Sequence, residues 1–189
     1  MDTMAKGREI EMFVAGLVLD QNSNAPIVIL KDATGEVCLP IWIGLPEATA
    51  IASALRKVDL ARPLTHDLLI SVLKVLSAEV VRVVISELRE NTFIANIEMR
   101  VGDTFQVIDS RPSDAIAVAV RVGARIVVAE EVLEKAQVKL VAMNPEEAGE
   151  GEGEDQTITL DEKNFANIEK DKWAEILAEM DPDDFKYKM

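Results

Sequence analysis

The pattern of apolar and polar positions divides the first 143 residues into short strands and helices. Residues 9–19 carry apolar side chains at odd and even positions alike, which predicts a central strand with apolar residues on both faces. Turn residues such as Gly35 bound the following apolar runs, as is typical of strands. Further strands are predicted at residues 27–30, 37–43, 80–88, 93–101, 105–108, 125–129 and 138–142.

Helices are predicted where a proline or a threonine follows a strand or loop. One runs from Gly44 to about Lys57 and is rich in alanine, and another follows Thr65 with Leu68, Leu69, Val72, Leu73 and Leu76 as its apolar stripe. A third begins at Pro112, because proline suits the first helical turn, and Gly123 should end it. A short helix at 130–137 completes the set.

The two halves of this region share one order of elements. Each has a hairpin, a third strand, a junction containing proline and an acidic residue, and an alanine-rich helix, with Pro46 and Pro112 in matching places. The pattern therefore predicts an α+β fold. Its mixed, largely antiparallel sheet would be built from two pseudo-repeated units of hairpin, strand and helix.

Charge separates the chain into a body and a tail. The formal net charge is −14, but residues 1–143 hold 15 Lys and Arg against 19 Asp and Glu, whereas residues 144–189 hold 5 against 15. We therefore predict a domain at 1–143, an acidic Gly- and Glu-rich linker at 144–157 and a tail at 158–189 with one amphipathic helix at 168–180. The acidic tail is also a candidate mimic of nucleic acid.

Several features bear on location and assembly. No stretch has the length and freedom from charge of a membrane span, and the charged N-terminus lacks the apolar core of a signal peptide. Cys38 is the single cysteine and lies in an apolar run, which favours a reduced, structural thiol. We expect a cytoplasmic protein without a membrane partner. The isolated terminal helix needs a surface to pack against, either the body of the chain or a neighbouring subunit. A homo-oligomer is also expected.

Motif searches exclude several kinds of chemistry. The sequence has no phosphate-binding loop, no dinucleotide fingerprint and no serine in a nucleophile elbow. With one histidine and one cysteine, it also lacks the ligand spacing of common zinc sites.

The residues at the starts of the helices carry the candidate chemistry. His66, beside a helix N-terminus that disfavours its charged form, is a candidate general base. Carboxylates at these junctions suit Mg²⁺ or Mn²⁺, and an arginine can bind phosphate through two hydrogen bonds. Structural roles remain open, since the same residues cap helices and Asp109 or Asp114 can simply pair with Arg111. The predicted catalytic residues are His66, Asp109, Asp114 and Glu47, those for substrate binding are Arg111, Ser113 and Arg62, and the metal ligands are Glu47, Asp109 and Asp114.

Three motifs resemble the bifunctional nuclease domain family. They are Pro-Ile-Trp-Ile-Gly at 40–44 followed by Glu47 and Ala48, Arg-Pro-Leu-Thr-His-Asp at 62–67, and Asp-Ser-Arg-Pro-Ser-Asp-Ala-Ile-Ala at 109–117. The resemblance covers about residues 9–142 and implies a compact α+β domain with nuclease activity on RNA and DNA, as in plant members. The expected function is phosphodiester hydrolysis of RNA or DNA, assisted by a divalent metal. The alternative is a non-enzymatic module that uses the same scaffold to bind a protein or a ligand.

Overall fold

A computed structural model describes residues 7–20, 23–58 and 60–139. The strands are β1 (Glu9–Leu19), β2 (Pro26–Asp32), β3 (Val37–Trp42), β4 (Ala78–Arg89), β5 (Thr92–Val101), β6 (Thr104–Ser110), β7 (Arg125–Ala129) and β8 (Val138–Lys139). The helices are α1 (Leu45–Leu55), α2 (Thr65–Val75), α3 (Pro112–Val122) and α4 (Glu130–Ala136). The predicted linker at 144–157 and the tail at 158–189, with its helix at 168–180, lie outside the described residues.

All eight described strands form one mixed sheet in the order β6-β5-β4-β7-β1-β2-β3-β8. The predicted pseudo-repeat is confirmed, because β1-β2-β3 and β4-β5-β6 are each an antiparallel meander that leads towards a helix. Strand β7 lies between the two meanders, antiparallel to β1 and parallel to β4. The predicted α+β class is therefore confirmed, and β1 is a central strand, as its apolar pattern predicted.

The main core lies between the sheet and the helices. Strand residues such as Leu39, Ile85 and Val128 meet helix residues such as Ile51 and Ile116, and all five are fully buried. Because side chains alternate along a strand, Ile27, Ile29 and Cys38 point to the opposite face and form a second, smaller cluster there. The sheet is thus apolar on both faces near β2 and β3, which explains the continuous apolar runs of the sequence.

Helix boundaries follow the turn chemistry of the sequence. Pro112 occupies the first turn of α3, and Gly123 ends that helix with a φ of 71°, in the left-handed region that glycine tolerates. Thr65 is the first residue of helix α2 and not its N-cap, so the helix begins one residue earlier than a cap at Thr65 would predict. Leu64 is the N-cap, and its backbone N–H donates to Asp67 Oδ2 at 2.9 Å.

Two parts of the surface differ from what periodicity alone suggests. Helix α2 turns Ile70 and Leu73 towards the core, so most of its predicted apolar stripe faces solvent, with Leu68 and Leu76 each at 60% exposure. On β5, Glu98 is buried, although its alternating position predicts exposure. Arg82 on β4 binds both Glu98 and Glu9 and shields these carboxylates from water.

The described helices all belong to this packed unit. Within residues 7–20, 23–58 and 60–139, no helix combines the length and the apolar character needed to cross a membrane.

Candidate functional site

Three helix starts supply the polar residues of the candidate site. Glu47 lies in the first turn of α1, His66 in that of α2 and Asp114 in that of α3, while Arg111 is the N-cap of α3. Acidic side chains are favoured at these positions because the helix N-terminus carries partial positive charge. The local sequence therefore places each group at a helix start, and the packing of the helices determines which groups meet.

Arg111 joins two of these carboxylates. Its Nε donates to Asp114 Oδ2 at 2.7 Å, and its Nη1 lies 2.9 Å from Glu47 Oε1. The bond to Asp114, supported by that to Glu47, raises the pKa of Arg111 above its ordinary value. The Glu47 side chain is mostly buried, whereas that of Arg111 remains 61% exposed. The guanidinium is thus held through Nε and Nη1, while much of the side chain stays open to solvent.

His66 contacts the same aspartate from the opposite side. His66 Nε2 lies 3.1 Å from Asp114 Oδ1, although 48 positions separate the two residues in sequence. An ionised carboxylate only accepts hydrogen bonds, so in the neutral imidazole Nε2 carries the proton and Nδ1 holds the free lone pair. Asp114 therefore orients an imidazole with one oxygen and a guanidinium with the other.

Arg111 already occupies two of the three carboxylates that were predicted to bind a metal. No group of three or more His, Cys, Asp or Glu residues is arranged as metal ligands in the described part of the chain. Glu47 and Asp114 instead share Arg111, which a divalent ion bound to both carboxylates would have to displace. The prediction of Mg²⁺ or Mn²⁺ at Glu47, Asp109 and Asp114 stays a prediction.

The other predicted site residues occupy different surroundings. Asp109 is exposed on β6, where it pairs with Asn96 in the sheet, and the partners of Arg111 are Asp114 and Glu47. Ser113 is buried in the first turn of α3, and no described residue forms a hydrogen bond with its hydroxyl. Arg62 is exposed in the loop before α2. The structure thus brings together Glu47, His66, Arg111 and Asp114 from the predicted set.

Gly44 supports this arrangement, although the sequence analysis assigned it no role in the site. Its φ of −76° suits any residue, but a Cβ added there would lie 2.3 Å from Oε2 of Glu47. Glycine leaves room here for the Glu47 carboxylate, which a Cβ would displace from its place beside Arg111. The signal in the sequence was the Gly-Leu-Pro-Glu order, in which glycine precedes the acidic residue by three positions.

Arg121 is a second residue that sequence reasoning missed. Its side chain is 8% exposed, and its Nε donates to Asp67 Oδ1 at 2.6 Å. Its Nη1 donates to the backbone oxygens of Ala50 and Ala117, each at 3.0 Å. This one guanidinium therefore joins α1, α2 and α3 and fixes the relative positions of the helices that carry the site. The sequence signal that could have indicated this role is an arginine in the last turn of an otherwise apolar helix.

Comparison with known proteins places this chain in a family. A family model described as "Bifunctional nuclease domain" matches residues 28–141. Uncharacterized proteins from two strains of Mycobacterium tuberculosis are each 38% identical over 176 residues, covering 93% of this chain and 98% of theirs. The chain belongs to the bifunctional nuclease domain family. The matched region contains all four residues that meet at Arg111 and Asp114.

Proposed function

We propose that this protein hydrolyses phosphodiester bonds in RNA or DNA. The observation that supports the proposal is that Asp114 binds a histidine and an exposed arginine at the same time. A general base and a phosphate-binding cation are then held on one carboxylate. The family name, nuclease, points to the same chemistry.

Each residue has a role that follows from its contacts. The lone pair of His66 Nδ1 takes a proton from the attacking water as the new bond to phosphorus forms, and Asp114 stabilises the resulting imidazolium. The bond from phosphorus to the leaving oxygen breaks, and that oxygen takes a proton from solvent. The exposed edge of Arg111 binds the phosphate oxygens, where negative charge grows during the reaction.

Glu47 holds Arg111 in place, and it is also a candidate metal ligand. Carboxylates such as Glu47, Asp109 and Asp114 suit Mg²⁺ or Mn²⁺, which bind one or two carboxylates and retain water. A bound divalent ion would neutralise phosphate charge and polarise the bond to be cleaved. Metal assistance is part of the proposal, and an ion bound to both Glu47 and Asp114 would have to displace Arg111.

The direct experiment measures cleavage of labelled single-stranded RNA and DNA by the purified chain, with Mg²⁺, with Mn²⁺ and with a chelator. We expect cleavage by the unaltered protein, and its loss in His66→Ala and in Asp114→Asn. Asp103→Asn, which removes an exposed carboxylate from the β5–β6 turn, is the matched control and should remain active. Equal cleavage by all four proteins would indicate a contaminating nuclease and overturn the proposal.

We also propose that the protein acts in the cytoplasm. Burial of Cys38 on the second face of the sheet, with no cysteine partner in the chain, suits the reducing conditions of the cytoplasm. Nucleic acid is available in that compartment as the substrate. Locating a tagged full-length chain by cell fractionation tests the assignment.

The second candidate function is protein binding through the outer face of α2. Five apolar residues on that face are exposed, namely Leu68, Leu69, Val72, Val75 and Leu76. Three of them, Leu68, Val75 and Leu76, are at least 60% exposed. Asp67 and Lys74 lie outside this band by helical spacing, so it carries no charge. An uncharged apolar band can pair with its own copy even in a chain of net charge −14. We therefore propose a second copy of this chain as the occupant, which gives the homo-oligomer.

Light scattering after size-exclusion chromatography tests this surface. We expect the full-length chain to be an oligomer and Val75→Glu to be smaller, because a buried unpaired carboxylate opposes association. Lys74→Glu, on the same helix but outside the band, is the control and should keep the original mass. A monomeric unaltered chain, or an equal effect of both variants, would refute self-association through α2.

A further inference from the structure

A cavity of about 290 Å³ is lined by Asp67, and neither His66 nor Asp114 is among the described residues that line it. It is formed by the end of α1, the loop that follows, the first turn of α2 and the last turn of α3. His66 and Asp67 are neighbours in sequence, so the first turn of α2 connects the cavity to the candidate site. Along α3, Asp114 and Arg121 are seven residues apart, which corresponds to about 10 Å of helix.

The charges that line this cavity are mostly positive. Among the described residues, the charged ones that line it are Lys57, Arg62, Arg121 and Asp67. Asp67 is already bound to Arg121, so one positive and one negative charge balance each other. The side chains of Lys57 and Arg62 form no ion pair and no hydrogen bond with another described residue. Two cations that pair with no other described residue therefore line one cavity.

Arg121 supplies an independent indication that the cavity holds a ligand. A guanidinium has five N–H donors. In Arg121 they meet four acceptors, namely Asp67 Oδ1, the oxygens of Ala50 and Ala117, and Ser53 Oγ at 3.4 Å. One Nη2 donor is left without an acceptor among the described residues, on a side chain that is more than nine-tenths buried. Buried donors without a partner are rare in proteins, so an acceptor from a ligand fits here.

The volume of the cavity and its apolar lining residues indicate which class of ligand fits. A volume of about 290 Å³ is close to the lower end of small-molecule sites, which begin near 300 Å³. Val58, Leu60 and Pro63 supply apolar surface to the lining, which suits a sugar or a base. A doubly charged oxyanion attached to a small organic group matches both the cations and this apolar surface.

We propose that this cavity binds the phosphate group of a nucleotide, through Lys57, Arg62 and the remaining Nη2 donor of Arg121. The choice of a nucleotide over other organic phosphates rests on the proposed function. In that setting the cavity holds a nucleotide next to the one being cleaved. It therefore contributes to substrate binding and not to the chemical step.

Calorimetric titration of the full-length protein with adenosine 5′-monophosphate tests the site without any need for activity. We expect binding that weakens at least tenfold in Arg62→Gln and in Lys57→Gln, and that weakens as salt is added. Lys74→Gln, which removes an exposed lysine from α2 outside the cavity, is the matched control and should bind as the unaltered chain does. Adenosine, which lacks the phosphate, should bind at least tenfold more weakly.

Several results would overturn the inference. They are no binding of the monophosphate at millimolar concentration, equal binding of adenosine, or equal weakening by Lys74→Gln. The proposed function fails separately, if the unaltered chain cleaves no oligonucleotide while it still binds the monophosphate. If cleavage is found, Arg62→Gln should raise KM several-fold and leave kcat within twofold, whereas a change confined to kcat would contradict a binding role.

Discussion

Arg121 Nε lies 2.6 Å from Asp67 Oδ1 and joins the last turn of α3 to the first turn of α2 across 54 positions of sequence. This bond, followed by one from the Leu64 backbone N–H, lowers the pKa of Asp67 below its ordinary value of 3.8. The contact therefore links the stability of the helix layer to pH, and it supports the neighbouring His66 as well.

The first prediction concerns acid stability. Because the pKa of Asp67 is lower in the folded chain, the unfolded chain binds more protons in the acidic range. The contribution of Asp67 to the free energy of unfolding is therefore complete well above pH 3.8. It is lost as the pH falls through the folded pKa. Asp67→Asn should be less stable than the unaltered chain at pH 7, and the difference should shrink below pH 3.8. Urea unfolding between pH 7 and pH 2.5 measures this. A difference that stays constant over the whole range would contradict the prediction.

The second prediction concerns the guanidinium itself. Arg121→Met keeps much of the buried volume but removes the hydrogen bonds that join the three helices, so it should lower the free energy of unfolding by roughly 1.5–3 kcal/mol, the range for bonds to charged groups. Arg89→Met, at an exposed pair with Glu87, is the control and should change it by less than about 1 kcal/mol. Denaturant titration at neutral pH compares the two. Equal losses would count against a special role for Arg121.

The third prediction concerns the coupling of His66 and Asp114. If the two act as one unit, His66→Ala should lower kcat by roughly 10²–10⁴-fold, and adding Asp114→Asn should lower it little further. Single-turnover cleavage by the two single variants and the double variant measures the coupling. Losses that multiply would show that the residues act independently, despite their contact of 3.1 Å.

The fourth prediction concerns Gly44. In Gly44→Ala the new Cβ would collide with Oε2 of Glu47, which is the far end of a flexible side chain, so the carboxylate should move away from Arg111 with little loss of stability. Cleavage should fall as Arg111 loses one of its two anchors. Gly7→Ala is the control, since its Cβ would meet only an ordinary contact at 3.9 Å. A crystal structure of Gly44→Ala with the Glu47–Arg111 bond intact would contradict this account.

The fifth prediction concerns Cys38. Desolvation by burial raises the pKa of this thiol above its ordinary value of 9.0, so both access and thiolate content are low at neutral pH. Labelling by a thiol reagent at pH 8 should therefore be slow in the folded protein and rapid in denaturant. Fast labelling under native conditions would show that the strand β3 opens locally.

Much of the fold could be predicted from the sequence, because its signals are local. Strand β1 at Glu9–Leu19 and β7 at Arg125–Ala129 have the predicted bounds, since apolar runs and turn residues act within a few positions. Pro112 and Gly123 marked the ends of α3 for the same reason. The two meanders were predicted from repeated order alone, without their places in the sheet.

The sequence predicted which residues belong to the candidate site, and the folded chain showed which of them contact one another. The sequence by itself determined that Glu47, His66 and Asp114 stand at helix starts, because proline and the helix dipole act locally. Only the tertiary structure decided that Asp114, rather than Asp109, binds Arg111, that Arg121 joins three helices, and that the apolar band of α2 faces outwards. The Arg121–Asp67 and His66–Asp114 contacts join residues that are 54 and 48 positions apart, so they depend on how the helices pack on one sheet, which no local pattern of side chains specifies.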